Sequence, residues 1–331
     1  MKAAAEVLAF SIGASALLAA ATSSLPGGST ETSASLVGVW TAAAAPGRTE
    51  RGDGTGSLLL TMRRGRLGGE STSSETIALS EFRGLAPAQL AATSADSRFE
   101  WARDAGTFTL EGQFRSGKGA GHFVFEPSPA YVAELRREGY DLDEEKALTL
   151  ALHDVSRTFL RDLASLGYPH PSLDELIALR IHGADADFVR ALQGLGYDHL
   201  TMAELVTFRI HGVTPEYVKA LRGLGLLSQS PDELVTFRIH GVSPEYIRAF
   251  QDLGYRRLTA DQLVAMRIHG VGAEFVQKLK KLGYEAVSVD DLVAMRIHGV
   301  TAEFIERMQL REGRAVSLDR AVEARIHGDE R

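Results

Sequence analysis

Residues 214–241, TPEYVKALRGLGLLSQSPDELVTFRIHG, hold one complete unit of a tandem repeat. The closing Arg-Ile-His-Gly occurs at 180–183, 209–212, 238–241, 267–270, 296–299 and 325–328, an unbroken period of 29. His153 precedes His182 by the same interval and extends the register to a degenerate seventh copy. A period of ~20–50 residues marks a solenoid or array in which each unit is one supersecondary element.

The unit reads as two short helices. Thr214 is the N-cap of the first, Pro215 its first helical position, Tyr217, Val218, Leu221 and Leu224 its buried stripe, and Gly225 its stop. In the second, Ser230 and Glu233 form a capping box, Leu234, Val235, Phe237 and Ile239 supply an apolar face, and Gly241 ends it. The box recurs as Ser172/Glu175, Thr201/Glu204, Thr259/Gln262 and, with a shorter acid, Ser288/Asp291. Helices of ~10 residues are too short to be stable alone in water, so each pair must bury its stripe against its neighbours. Residues 127–331 are therefore expected to form an αα-solenoid of about seven repeats. Glu312, Gly313 and Arg320 make the last copy a polar cap, and residues 127–153 are a divergent first copy joining the array to what precedes it.

Residues 36–126 carry a different period. Phe99 and Trp101, Phe108 and Leu110, and Phe123 and Phe125 alternate at spacing two, separated by Asp104-Ala105-Gly106 and by a Gly-rich run from Ser116 to Gly121. With Leu36–Thr41, Ser57–Met62 and Thr76–Leu79 this gives about six antiparallel strands, either a sandwich or a small barrel. The fold class is α+β and multidomain: a small β-domain followed by the solenoid. Residues 117–121 read as a hairpin turn, since they lack phosphate-loop spacing and lie between strands. Trp40 and Trp101 read as core, and His122 as a surface residue.

Residues 1–21 hold Lys2, an apolar stretch Val7–Ala21 and a small-residue end, which fits a secretory signal peptide. An uncleaved anchor, giving membrane contact, or a cytosolic amphipathic segment are the other readings. Residues 22–35 form a Ser/Thr/Gly linker. Hydrophobic residues make up 44% of the chain and charged residues 24%, which excludes collagen and wholesale disorder. The net charge of −7 lacks the basic surplus of a nucleic-acid binder, so no nucleic-acid partner is expected. The absence of cysteine removes disulfides and thiolate chemistry.

The repeated Arg and His are the candidate functional residues. Seven residues after each Arg comes an acid, as Arg180/Asp187, Arg209/Glu216, Arg238/Glu245, Arg267/Glu274 and Arg296/Glu303. The degenerate copy lacks both, with Ala151 and Thr158 in their places. This predicts an Arg–carboxylate ladder across the helix-to-helix turn, against an exposed Arg row that binds anions. His153, His182, His211, His240, His269, His298 and His327 each fall beside a Gly stop, where the ring is expected to bond terminal carbonyls. Stacked helices ~8–10 Å apart keep equivalent rings too far apart to share a metal, and no cofactor is expected. Asp143-Glu144-Glu145 and Asp290-Asp291 read as helix-start acids, and Lys278, Lys280 and Lys281 as a solvated helix face. No H-E-x-x-H, G-x-S-x-G, Walker A or dinucleotide fingerprint occurs, so a non-enzymatic role is expected.

The β-region ending Gly-Lys-Gly-Ala-Gly-His-Phe-Val-Phe-Glu-Pro, followed by repeats containing Asp-Glu-Leu-Val-Thr-Phe-Arg-Ile-His-Gly, resembles the β-domain and helical-repeat region C-terminal to some bacterial membrane metallopeptidases of the β-lactam-sensor type. It covers about residues 36–331. The peptidase's zinc motif and transmembrane bundle are missing, so no catalytic residue carries over. The resemblance implies a bacterial, envelope-located sensing or binding region. The expectation is an exported, periplasmic or envelope scaffold whose array binds another protein. The alternatives are a polyanion-binding array using the Arg row, and a glycan-binding or hydrolytic β-domain.

Overall fold

The computed structural model describes residues 36–45, 56–66, 69–227, 229–313 and 315–328. The expected signal peptide and linker, residues 1–35, lie outside the described residues. Seven strands, β1 (Leu36–Ala45), β2 (Ser57–Arg66), β3 (Gly69–Ala78), β4 (Phe82–Arg83), β5 (Ala95–Arg103), β6 (Gly106–Arg115) and β7 (Lys118–Pro127), form one antiparallel sheet. Its order is β3-β2-β1-β7-β6-β5-β4, with β3 at one edge and β4 at the other. A single open sheet replaces both the sandwich and the closed barrel. The sheet also holds two elements with no alternating signature: the two-residue β4, and helix α1 (Pro87–Ala91) after it.

Alternation works as expected on the central strands. Phe99 and Trp101 on β5, Phe108, Leu110 and Phe114 on β6, and Phe123 and Phe125 on β7 are all buried on one face. Trp40 on β1 lies across this face, its Nε1–H donating to the carbonyls of Glu111 (3.2 Å) and His122 (3.0 Å). Its ring meets Phe99 edge-on at 5.5 Å. The Gly-rich run exists for this ring rather than for a turn alone. Only Ser116 (φ 46°) and Gly117 (φ 81°) turn the chain, as a two-residue hairpin requires. Gly119 and Gly121 are strand residues on β7, and Gly112 faces them from β6. A Cβ at Gly112 or Gly119 would stand 2.7 or 2.8 Å from the indole, and one at Gly121 would stand 1.9 Å from the Glu111 carbonyl oxygen.

Helices follow in pairs: α2 (Pro129–Arg137), α3 (Glu144–Leu152), α4 (Arg157–Ser165), α5 (Leu173–His182), α6 (Ala186–Gln193), α7 (Met202–His211), α8 (Pro215–Gly223), α9 (Pro231–Ile239), α10 (Pro244–Asp252), α11 (Ala260–Ile268), α12 (Ala273–Lys281), α13 (Val289–Ile297), α14 (Ala302–Glu312) and α15 (Leu318–His327). Odd helices from α5 to α15 pack in sequence in one layer, and even helices from α4 to α14 in the other. α3 packs on β6 and β7. The expected two domains therefore share a core: one buried cluster runs from Trp40 through the first repeats to Leu263, and a second from Phe250 to Ala324.

The caps follow the sequence. Ser172/Glu175, Thr201/Glu204, Ser230/Glu233 and Thr259/Gln262 form reciprocal boxes. At Ser288 the cap to the Asp291 N–H forms, but the shorter Asp291 carboxylate bonds the Ser288 hydroxyl instead of the backbone. Each odd helix from α5 to α13 ends in a left-handed Gly, and the next residue donates back to the carbonyl five positions earlier, as in Val242 to Phe237 at 2.7 Å. That next residue, Ala184, Val213, Val242, Val271 or Val300, is buried and anchors the turn. Leu234 and Phe237 are buried as expected, Leu224 and Val235 only partly, and Ile239 is 57% exposed. Five residues after Leu234 is ~500° of helix, which turns Ile239 away from the buried side.

Candidate functional site

The Arg–carboxylate ladder does not form. Every Arg of the row except Arg296 runs back to the preceding repeat, where its Nε–H donates to a carbonyl at the end of the odd helix there. The pairs are Arg180 to His153 (3.0 Å), Arg209 to His182 (3.2 Å), Arg238 to His211 (3.2 Å) and Arg267 to His240 (3.1 Å). Arg325 shifts by one residue and reaches Gly299 at 3.3 Å. No intrahelical donor reaches these terminal carbonyls. The guanidinium supplies that donor and lies over a ring of the even helix between: Phe159, Phe188, Tyr217, Tyr246, Phe275 and Phe304 under Arg180, Arg209, Arg238, Arg267, Arg296 and Arg325, at 4.8–5.5 Å. Arg296 keeps the ring contact, but its buried Nε has no acceptor.

Gly183, Gly212 and Gly241 thus have a second duty. A Cβ at Gly183, Gly212 or Gly241 would stand 2.9, 2.8 or 2.6 Å from the guanidinium of the following repeat. Ala151 stands at the Arg position of the first copy, where no earlier odd helix of the array precedes α3 to be capped.

The ladder's acids are satisfied nearer home. Asp187 pairs with Arg190, and Glu274 and Glu303 share Lys278. Glu216 and Glu245 are held below the usual carboxylate range by their own backbone N–H groups, then by the hydroxyls of Thr214 and Ser243. Arg180 pairs instead with Asp154, at 2.7 Å.

A parallel clamp on the even helices escaped the sequence reading. Gln193, Arg222, Gln251, Lys280 and Gln309 donate to the carbonyls of Leu166, Leu195, Leu224, Leu253 and Leu282 in the preceding repeat, at 2.5–3.3 Å. Residue identity varies while the N–H donor is constant at a spacing of 29, and that constancy was the available signal. It also corrects Lys280, which is a cap and not part of a solvated face.

His153, His182, His211 and His240 take part through their backbone carbonyls, which accept from the Arg row. None of the seven rings makes a hydrogen bond among the described residues, so they do not cap the helix ends as expected. His182, His211, His298 and His327 are exposed and His240 and His269 half-buried. His153 is half-buried, and burial followed by the charge of Arg180 lowers its pKa. Among the described residues no group of three His, Asp or Glu side chains is placed to hold a metal.

With the Arg row occupied, the outward surface of the odd helices is defined by isoleucine. Ile181, Ile210, Ile239, Ile268, Ile297 and Ile326 are 54–57% exposed, one per repeat at the same position. Asp174, Asp232, Asp261, Asp290 and Asp319 lie seven residues earlier, exposed at the starts of five of the same helices. About 10 Å of helix separates the two rows.

Among the described residues no helix is long and apolar enough to cross a membrane. No protein-family model matches the chain, and no curated protein matches it.

Proposed function

We propose that this chain is a non-enzymatic interaction scaffold whose odd-helix layer binds another protein along the isoleucine row. The observation that carries this is the periodic exposure of Ile181, Ile210, Ile239, Ile268, Ile297 and Ile326, one per repeat at the same position, each 54–57% exposed. A residue needed only for packing would be turned inward, as Leu234 and Phe237 are. A row of exposed apolar side chains running beside a row of charges suits a protein contact. The bordering Asp row favours a partner segment that carries apolar side chains flanked by Lys or Arg. An exported, envelope location is proposed with it, on the N-terminal Val7–Ala21 stretch and the resemblance of residues 36–331. The polyanion alternative is weakened, because the row guanidiniums are drawn back onto carbonyls and rings of the preceding repeat.

The test is crosslinking capture from envelope and cytosolic fractions with the full chain and with an Ile210→Lys/Ile239→Lys/Ile268→Lys variant. Calorimetric titration of any captured, purified protein against both follows. A protein that binds the native chain and is weakened at least about tenfold by the variant supports the proposal. Equal binding by both chains, no protein partner, or recovery of nucleic acid instead overturns it.

A further inference from the structure

A cavity of about 200 Å3 lies where the array begins, between the sheet and α3. Its apolar lining is Met62 of β2, Phe123 of β7, and Leu148 and Leu152 of α3. Its polar lining is Arg64 of β2, Ser71 and Ser73 of β3, and Glu145 of α3, with Met62 and Arg64 opposite Ser73 and Ser71 across the β2–β3 pair. Arg64 is largely buried, its side chain 18% exposed, and holds Glu145 through one N–H of Nη1 and one of Nη2. A guanidinium carries five N–H donors, so three remain. Among the described residues none of the three has a protein acceptor, and Arg64 lines the cavity. Water would satisfy these donors but would leave the apolar lining wet.

We propose that this cavity binds a small carboxylate on a compact apolar body, with the carboxylate on the free edge of Arg64 and the body against Met62, Phe123, Leu148 and Leu152. The size supports a small ligand, since 200 Å3 falls below the ~300–1,000 Å3 of sites for drug-sized molecules. A guanidinium edge recognises a carboxylate through paired, charge-assisted hydrogen bonds, and the Ser71 and Ser73 hydroxyls supply further donors. A branched-chain fatty acid and a branched-chain amino acid share this chemistry. The second adds an ammonium group that the Glu145 carboxylate accepts. The site lies apart from the isoleucine row, so it stands or falls independently of the proposed scaffold function.

The experiment titrates the full chain, by calorimetry and saturation-transfer NMR, with 4-methylpentanoate, leucine and the neutral 4-methylpentanamide. Binding of either carboxylate at least about tenfold more tightly than the amide supports the proposal. Binding of the acid alone or of leucine alone identifies which source the site takes. Absence of binding by both, or equal binding of the amide, overturns it. Arg64→Leu should remove binding. Because that change removes the Arg64–Glu145 pair and can cost folding, Ser73→Phe fills the cavity from the edge strand while leaving Arg64 in place. A folded Ser73→Phe chain that binds as well as the native one places the ligand elsewhere and overturns the assignment.

Discussion

Replacing Arg238 by Ala tests the clamp at the centre of the array. The side chain makes one charge-assisted hydrogen bond to the His211 carbonyl, at 3.2 Å, and stacks 4.8 Å from the Tyr217 ring. The first contributes ~1.5–3 kcal/mol and the second ~0.5–1 kcal/mol at an exposed site. Arg238 is exposed, so the low ends apply and the expected loss is about 2 kcal/mol, read from urea unfolding followed by circular dichroism. Double-mutant cycles decide between partners. Arg238→Ala with Tyr217→Leu should couple by ~0.5–1 kcal/mol, whereas Arg238→Ala with Glu245→Ala should be additive within ~0.3–0.5 kcal/mol. A coupling to Glu245 larger than the coupling to Tyr217 would refute the clamp and restore the ladder.

Tyr217 is buried and its hydroxyl donates to the Val242 carbonyl at 2.6 Å, and burial raises its pKa to about 12. The proton is held more tightly in the folded chain, so this stability is present below about pH 10 and is lost as pH rises from 10 to 12. A shift of this size is about 2–3 kcal/mol, and Tyr217→Phe should flatten the alkaline limb of a stability–pH profile by that amount. Gly121→Ala forces a methyl against the Glu111 carbonyl and should cost about 2 kcal/mol or more by overpacking, a loss visible in the melting temperature. The Ile210→Lys/Ile239→Lys/Ile268→Lys variant should unfold within ~1 kcal/mol of the native chain, since each residue is more than half exposed. Phe237→Ala should cost ~3–5 kcal/mol. A triple variant as unstable as Phe237→Ala would mean that the isoleucines are packing residues.

Local chemistry was legible in the sequence because its causes lie within a few residues. Ser230 and Glu233 are three apart and make their box wherever a helix starts, and Gly241 takes a left-handed turn that a β-carbon resists. Alternation placed Phe99, Trp101, Phe108 and Phe125 on one face for the same reason. The sheet's closure was not legible, because sandwich, barrel and open sheet share one alternation and differ only in which edges pair. Nor was the purpose of Gly119 and Gly121, whose neighbour Trp40 comes from β1, the far end of the β-region in sequence.

The candidate site divides in the same way. Composition and period determined that the chain is a helical array with one Arg, one Ile and one His per repeat at the end of a helix, for these follow from the recurrence of Arg-Ile-His-Gly. Tertiary structure decided what each does. An Arg has enough reach for either the acid of the next helix or the carbonyl of the preceding repeat, and spacing along the chain favours the first. Packing favours the second. The stacked odd helices bring an unsatisfied C-terminal carbonyl, and the even helix between them an aromatic face, beside the guanidinium, whereas the acid lies in water with its own amide and hydroxyl donors. Once the Arg is drawn back into the stack and Val242 is buried below it, the Ile between them is left outside.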